Sequence, residues 1–159
     1  MVVLGIDPGS IVTGYGIVET AAGRLHGLCH GQIRPDRKVG FAAALAVIYE
    51  RLRGMADEHQ ADAIAIESIF CGKNVRSLIV QGHVRGVAIL AGVHCGLPIF
   101  EYSPLEVKKA VVGYGRAEKA QVQQMVKAIL QLTELPTPDA ADALAVAVCH
   151  VHFAKVLSL

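Results

Sequence analysis

Two short apolar runs, Val2–Ile6 and Ala63–Ile66, each stop at an acid, Asp7 and Glu67, and this repeated figure constrains the fold more than any other feature of the chain. Runs this short and this apolar read as strands buried on both faces. The first passes into Asp7-Pro8-Gly9-Ser10, whose Pro and Gly signal a turn, and the second into Ile69-Phe70-Cys71-Gly72, which reads as a loop. Laid side by side in parallel, the two strands bring both acids to the same edge of a sheet, where α/β proteins commonly build their sites.

The remaining elements follow from periodicity. Thr13–Thr20 and Arg24–Ile33, rich in β-branched residues and separated by Ala-Ala-Gly, predict a hairpin antiparallel to the first strand. Phe41, Leu45, Ile48, Tyr49, Leu52 and Met55 recur at helical spacing, with Glu50, Arg51 and Arg53 opposite, so Gly40 to His59 predicts an amphipathic helix. Val75 to Cys95 reads as a helix that carries Gly82, Gly86 and Gly92. Each glycine costs about 1 kcal/mol relative to alanine there, which points to close approach of another backbone, as in a subunit contact, or to a loose helix. Pro98–Tyr102 predicts a short strand and Pro104–Val112 a helix with proline in its first turn. Val122, Met125, Val126, Ile129 and Leu130 mark the next helix, and Asp139 to Leu157 the last. With no repeat or long linker, the expectation is one α/β domain over residues 1–159: a mixed five-stranded sheet flanked by helices, with right-handed crossovers.

Composition removes whole classes. At 53% hydrophobic and 18% charged residues, with mean hydropathy +0.45, the chain is too apolar to be disordered. No apolar stretch approaches the roughly 20 residues of a membrane helix, and the N-terminal run has no basic leader, so a cytoplasmic address without membrane attachment is expected. Cys29, Cys71, Cys95 and Cys149 form no Cys-x-x-Cys pair and are expected to be reduced, mostly buried thiols. Cys149, His150 and His152 lie close in sequence, but the two histidines face different sides of a helix and read as ordinary structural residues. The net charge of +1 conceals an asymmetry: residues 71–127 hold eight Lys and Arg against three acids, and the remainder seven against eleven. That distribution permits a basic surface for nucleic acid, although solvated helix faces would give the same count.

Asp139 and Asp142 are three apart, so a helix beginning there carries both on one face of its first turns, with Ala140 and Ala141 leaving room beside them. Four clustered carboxylates repel one another unless divalent cations offset the charge, and two such ions about 3.5–4 Å apart would set up phosphodiester hydrolysis. The residues alone leave this reading open beside a blander one, in which Asp139 caps its helix and the other acids are solvated.

The order and spacing of several short motifs settle on a family. Gly5-Ile-Asp-Pro-Gly-Ser10, Thr13-Gly-Tyr-Gly16, Ile66-Glu67, Lys73-Asn74, Arg85-Gly86, Val107-Lys108, Val111-Val-Gly113, Ala117-Glu-Lys119 and Asp139-Ala-Ala-Asp-Ala-Leu144 together resemble the RuvC-type Holliday junction resolvases, crossover junction endodeoxyribonucleases of ribonuclease-H-like fold. The resemblance spans nearly the whole chain. It implies that Asp7, Glu67, Asp139 and Asp142 are catalytic metal ligands for magnesium or manganese, two ions per site. It also implies a homodimer that resolves four-way DNA in recombination and repair, with a branch-migration helicase complex as partner. Lys119 falls where the family has a lysine near the reacting phosphate, and Lys108 matches another DNA-facing lysine. Phe70, with Cys71 after it where many relatives have a second aromatic, matches a residue that opens the junction by stacking, although core packing would also explain it. Lys73, Asn74, Arg76 and Arg116, within the basic segment, complete the expected DNA contacts.

Two rivals are weaker. Asp7-Pro8-Gly9-Ser10 before a glycine-containing hairpin also resembles the phosphate loop of actin-like ATP-binding proteins, but those need two related lobes and this sequence supplies one. A non-catalytic junction binder would keep the basic segment and lose the acids, and all four acids are present.

Overall fold

In the computed structural model, which describes residues 1–69 and 74–157, β1 (Val2–Asp7) lies at the centre of a sheet ordered β3-β2-β1-β4-β5. It pairs antiparallel with β2 (Thr13–Ala21), which pairs antiparallel with β3 (Arg24–Ile33). On its other side it pairs in parallel with β4 (Ala63–Glu67), and β4 in parallel with β5 (Ile99–Tyr102). Five helices flank the sheet: α1 (Phe41–Glu58), α2 (Val75–His94), α3 (Pro104–Val112), α4 (Lys119–Ile129) and α5 (Pro138–Leu157). This is the mixed ribonuclease-H-like architecture that the sequence predicts.

The two-residue repeat of a strand divides the core into two layers. Leu4, Ile6, Ile17, Ile64 and Ile66 point to one face and pack with Ile48 and Leu52 of α1 and Val84 and Ala88 of α2. Val3, Val18 and Ala65 point to the other and meet Val107 of α3, Val122 and Val126 of α4, and the buried length of α5. The central helix is α5: Ala140, Ala141 and every residue from Ala143 to Cys149 are at most 1% exposed. A helix that is apolar all round has no solvent face, and its alanines keep it slim enough to lie deep on the sheet.

The strands accommodate that depth with glycine. A Cβ at Gly5 would sit 2.1 Å from the carbonyl oxygen of Ala143, and one at Gly14 would sit 2.0 Å from that of Asp139. The helix backbone occupies the space that side chains would otherwise fill. Among the described residues no other backbone approaches the α2 glycines. Gly92 is covered by the side chains of Ile64 and Ile99, so it faces inward and is unavailable to a second subunit, whereas Gly82 and Gly86 face open space.

The cysteine expectation holds only in part, because Cys149 is buried while Cys29 and Cys95 are half-buried free thiols; Cys71 lies outside the described residues. His150 shares a 2.8 Å hydrogen bond with the Tyr102 hydroxyl, and His152 Nδ1 lies 3.1 Å from the Ala110 carbonyl, so both are engaged in the fold. Among the described residues no helix is long and apolar enough to cross a membrane.

Candidate active site

The pleat decides where the acids point. Gly5 faces α5, so Asp7, two residues on, faces it too, and Glu67 stands in the same relation to Ala65 on β4. Pairing of Ile6 with Ile66 brings the two carboxylates to neighbouring strand ends. Across the other strands Asp7 is opposite Gly14, Gly14 opposite Gln32, and Glu67 opposite Tyr102. One transverse row therefore runs Gln32, Gly14, Asp7, Glu67, Tyr102 on the face that α5 covers. Because Gly14 lies against the Asp139 backbone, the first turns of α5 arrive directly over this row, carrying Asp139 and then Asp142.

The four acids act on one another. Burial, followed by the negative charges of Glu67, Asp142 and Asp139, pushes the Asp7 carboxyl up to about 7 against the pull of Lys119. Burial and then Asp142 raise Glu67 to about 7 as well, opposed by Lys119 and Lys108. Carboxyls held that high mark a pocket short of positive charge.

Lys119 reaches in from the rim. It opens α4, whose start is fixed by a hydrogen bond from the Glu118 backbone N–H to Gln121 Oε1 at 2.8 Å and by the Tyr114 hydroxyl donating to the same oxygen at 2.9 Å. Its ammonium donates to Asp142 Oδ2 at 3.0 Å, and that bond raises its own pKa. With 79% of its side chain exposed against 21% for Asp142, Lys119 is a rim residue, and an ion pair of this kind contributes at most about 1 kcal/mol. Its charge falls on the carboxyls of the site, lowering Asp7 and Glu67.

Asp139 is also engaged. Gln32 Nε2 donates to Asp139 Oδ2 at 2.5 Å, and Arg34 donates to Gln32 Oε1 from Nε at 3.0 Å and Nη2 at 2.8 Å. With Asp142 held by Lys119 and Asp139 by Gln32, no group of three or more His, Cys, Asp or Glu side chains among the described residues is drawn tightly enough to hold a metal ion as it stands. The donors nonetheless suit a hard divalent cation: they are all carboxylate oxygens, two of them with unmet demand for positive charge.

The expected DNA contacts are more dispersed. Lys108 on α3 is half-buried and close enough to lower the Glu67 carboxyl, which joins it to the site. Asn74 is exposed and caps α2, its Oδ1 accepting from the Ser77 N–H at 3.2 Å, a structural duty that the motif did not reveal. Arg76 is exposed beside a cleft of about 400 Å³ lined also by Ser10, Ile11 and Phe41, between the β1–β2 turn and the starts of α1 and α2. Arg116 is exposed on the turn before α4. Phe70 and Lys73 lie outside the described residues. The sequence reading missed Gln32 and Arg34, whose part depends on register across three strands. The one local signal was a pair of polar residues at the end of a hairpin strand.

The crossover junction endodeoxyribonuclease RuvC family model matches residues 3–150. A crossover junction endodeoxyribonuclease RuvC from Geobacter sulfurreducens is 51% identical over 159 residues, covering 100% of this chain and 97% of the relative. Among solved structures, T. thermophilus RuvC in complex with a Holliday junction substrate superposes with TM-score 0.93 at 31% identity, covering 99% of this chain and 97% of that one. The yeast mitochondrial Holliday junction resolvase shares the fold at TM-score 0.70 and 13% identity, covering 98% and 80%. With its sheet, helices and motif order matched nearly from end to end, the chain belongs to the RuvC family of crossover junction endodeoxyribonucleases.

Proposed function

We infer that this protein binds four-way DNA junctions and resolves them by paired nicks, using Asp7, Glu67, Asp139 and Asp142 as ligands for two magnesium ions, with manganese as a substitute. The observation that carries this reading is the placement of two half-buried acids, Asp7 and Glu67, on adjacent parallel strand ends opposite two more on α5, with the Asp7 and Glu67 carboxyls pushed up to about 7 by burial and then by neighbouring negative charge. Ions bound there supply an activated water and relief of charge on the leaving oxygen. The chain's own residues do the rest. With Asp142 taken up as a ligand, the Lys119 ammonium at the start of α4 would offset charge developing on the scissile phosphate. Lys108 adds positive charge beside Glu67.

Phe70 stacks on a base at the opened crossover in this reading, a contact worth about 1–3 kcal/mol, while Lys73, Asn74, Arg76 and Arg116 meet the DNA backbone. Residues 1–159 act as one nuclease domain in the cytoplasm. Two copies are required, since one set of four carboxylates serves one strand, and a branch-migration helicase complex is the partner that the family implies.

The test uses Asp7→Asn and Glu67→Gln, each of which removes a ligand charge and keeps its shape. Cleavage of a synthetic four-way junction in magnesium is expected to fall below about 1% of the parental rate, with junction binding in chelator retained. A folded variant that cuts at near the parental rate removes that residue from the site.

A further inference from the structure

The contact between Gln32 and Asp139 is built from the sheet rather than from the helix that carries the acid. Gln32 lies opposite Gly14 on the neighbouring strand, and Gly14 lies opposite Asp7. Gly14 has no side chain, and the Asp139 backbone fills the gap where one would stand. With Asp139 seated over Gly14, the Gln32 side chain on the next strand lies beside it and donates to Asp139 Oδ2. Gln32 is half-buried and Arg34 exposed, so the chain of contacts runs inward from the rim.

The chemistry of the three groups fixes which way the amide points. Arg34 can only donate, so the amide atom facing it is the oxygen. An ionised Asp139 can only accept, so the atom facing it is the nitrogen. Each contact sets the orientation of the next, and the guanidinium, by drawing on Oε1, makes the Nε2 hydrogens better donors. That bond commits Asp139 Oδ2 and leaves Oδ1 out of it.

The geometry points to Gln32 as a positioning residue that holds Asp139 Oδ2 and so presents Oδ1 for metal binding, with Arg34 acting through Gln32. This rests on the reading of Asp139 as a metal ligand. Carboxylates that bind metals are themselves commonly held by hydrogen bonds, and loss of such a partner typically costs 10–100-fold in metal affinity or activity.

The test is manganese binding to the DNA-free protein, followed by electron paramagnetic resonance of the unbound ion, with thermal melting of the metal-free protein in parallel. Gln32→Met keeps the length of the side chain and removes the donor, and its manganese Kd is expected to rise about tenfold. Gln32→Asn, which withdraws the donor by one methylene and keeps the side chain polar, is expected to do the same and serves if the first variant does not fold. Arg34→Met alone is expected to raise Kd two- to threefold, and added to Gln32→Met to change nothing further, because its effect passes through the amide. A Kd within twofold of the parent in a folded Gln32 variant overturns the assignment, even if its melting temperature falls. Additive effects of Arg34→Met and Gln32→Met overturn the relay from Arg34. Asp139→Asn separates the two readings: if it leaves manganese affinity at the parental value, the metal role of Asp139 has failed, whatever the Gln32 variants do.

Discussion

Asp7 and Glu67 sit where carboxylates are least comfortable, and that discomfort is measurable without DNA. In the metal-free protein both hold their protons up to about pH 7, whereas in the unfolded chain they release them near about pH 4. The folded state thus binds more protons than the unfolded state between those values, and stability falls as pH rises through the window. Melting in chelator is expected to show a lower Tm at pH 8 than at pH 5. Asp7→Asn, which removes one of the repelling charges, is expected to flatten that slope and raise Tm at pH 8 by a few degrees while destroying activity, a trade-off common where a site is held against its own repulsion. Lys119 presents the opposite case. Since its exposed ion pair with Asp142 adds little to stability, Lys119→Met should leave Tm within about 2 °C of the parent. Single-turnover cleavage at saturating enzyme should nonetheless fall about 10²-fold, as for loss of a donor aimed at transition-state charge. A rate that recovers fully at saturation would make Lys119 a simple phosphate contact.

Among the elements, α5 couples core and chemistry. Its approach to the sheet depends on missing side chains at Gly5 and Gly14, so a methyl at either position meets helix backbone. The consequences should differ. Gly5→Ala presses on Ala143 and Ala147 in mid-helix and is expected to cost about 1–3 kcal/mol in urea unfolding. Gly14→Ala presses on Asp139 itself, and junction cleavage there should fall well beyond what the loss of folded protein explains. The strands and helices were legible because β1 and β4 are short, unbroken apolar runs that end at an acid, and α1 carries a clean helical repeat. The depth of α5 was not legible, since a helix apolar on every side has no periodicity to say which face meets the sheet. Asp7 and Glu67 announced themselves as acids ending apolar strands. Gln32 did not, because its neighbour Asp139 lies 107 residues away and is brought to it by strand register.

For the molecule as a whole, α2 presents a run of exposed apolar residues among the described residues. Val75, Ile79, Leu90 and Val93 are exposed large apolar residues on that helix, and Gly82 and Gly86 lie between them facing open space. Gly92, the third glycine of that helix, is turned into the core. If α2 joins two copies, Ile79→Glu should leave the fold and manganese binding intact and shift the protein to monomer in sedimentation equilibrium. Paired nicking of one junction should then be lost before single nicks are. A dimer that survives this change places the subunit contact elsewhere.

The transverse row from Gln32 to Tyr102 has a consequence for how such a sheet can change over time. Side chains on a strand alternate between faces, so inserting or deleting one residue within β1 would carry Asp7 from the α5 face to the α1–α2 face, and Leu4 and Ile6 the other way. Substitutions can adjust this row one position at a time. The strand itself tolerates length changes only in steps of two, which makes the interval between Gly5 and Asp7 a fixed gauge rather than a preference.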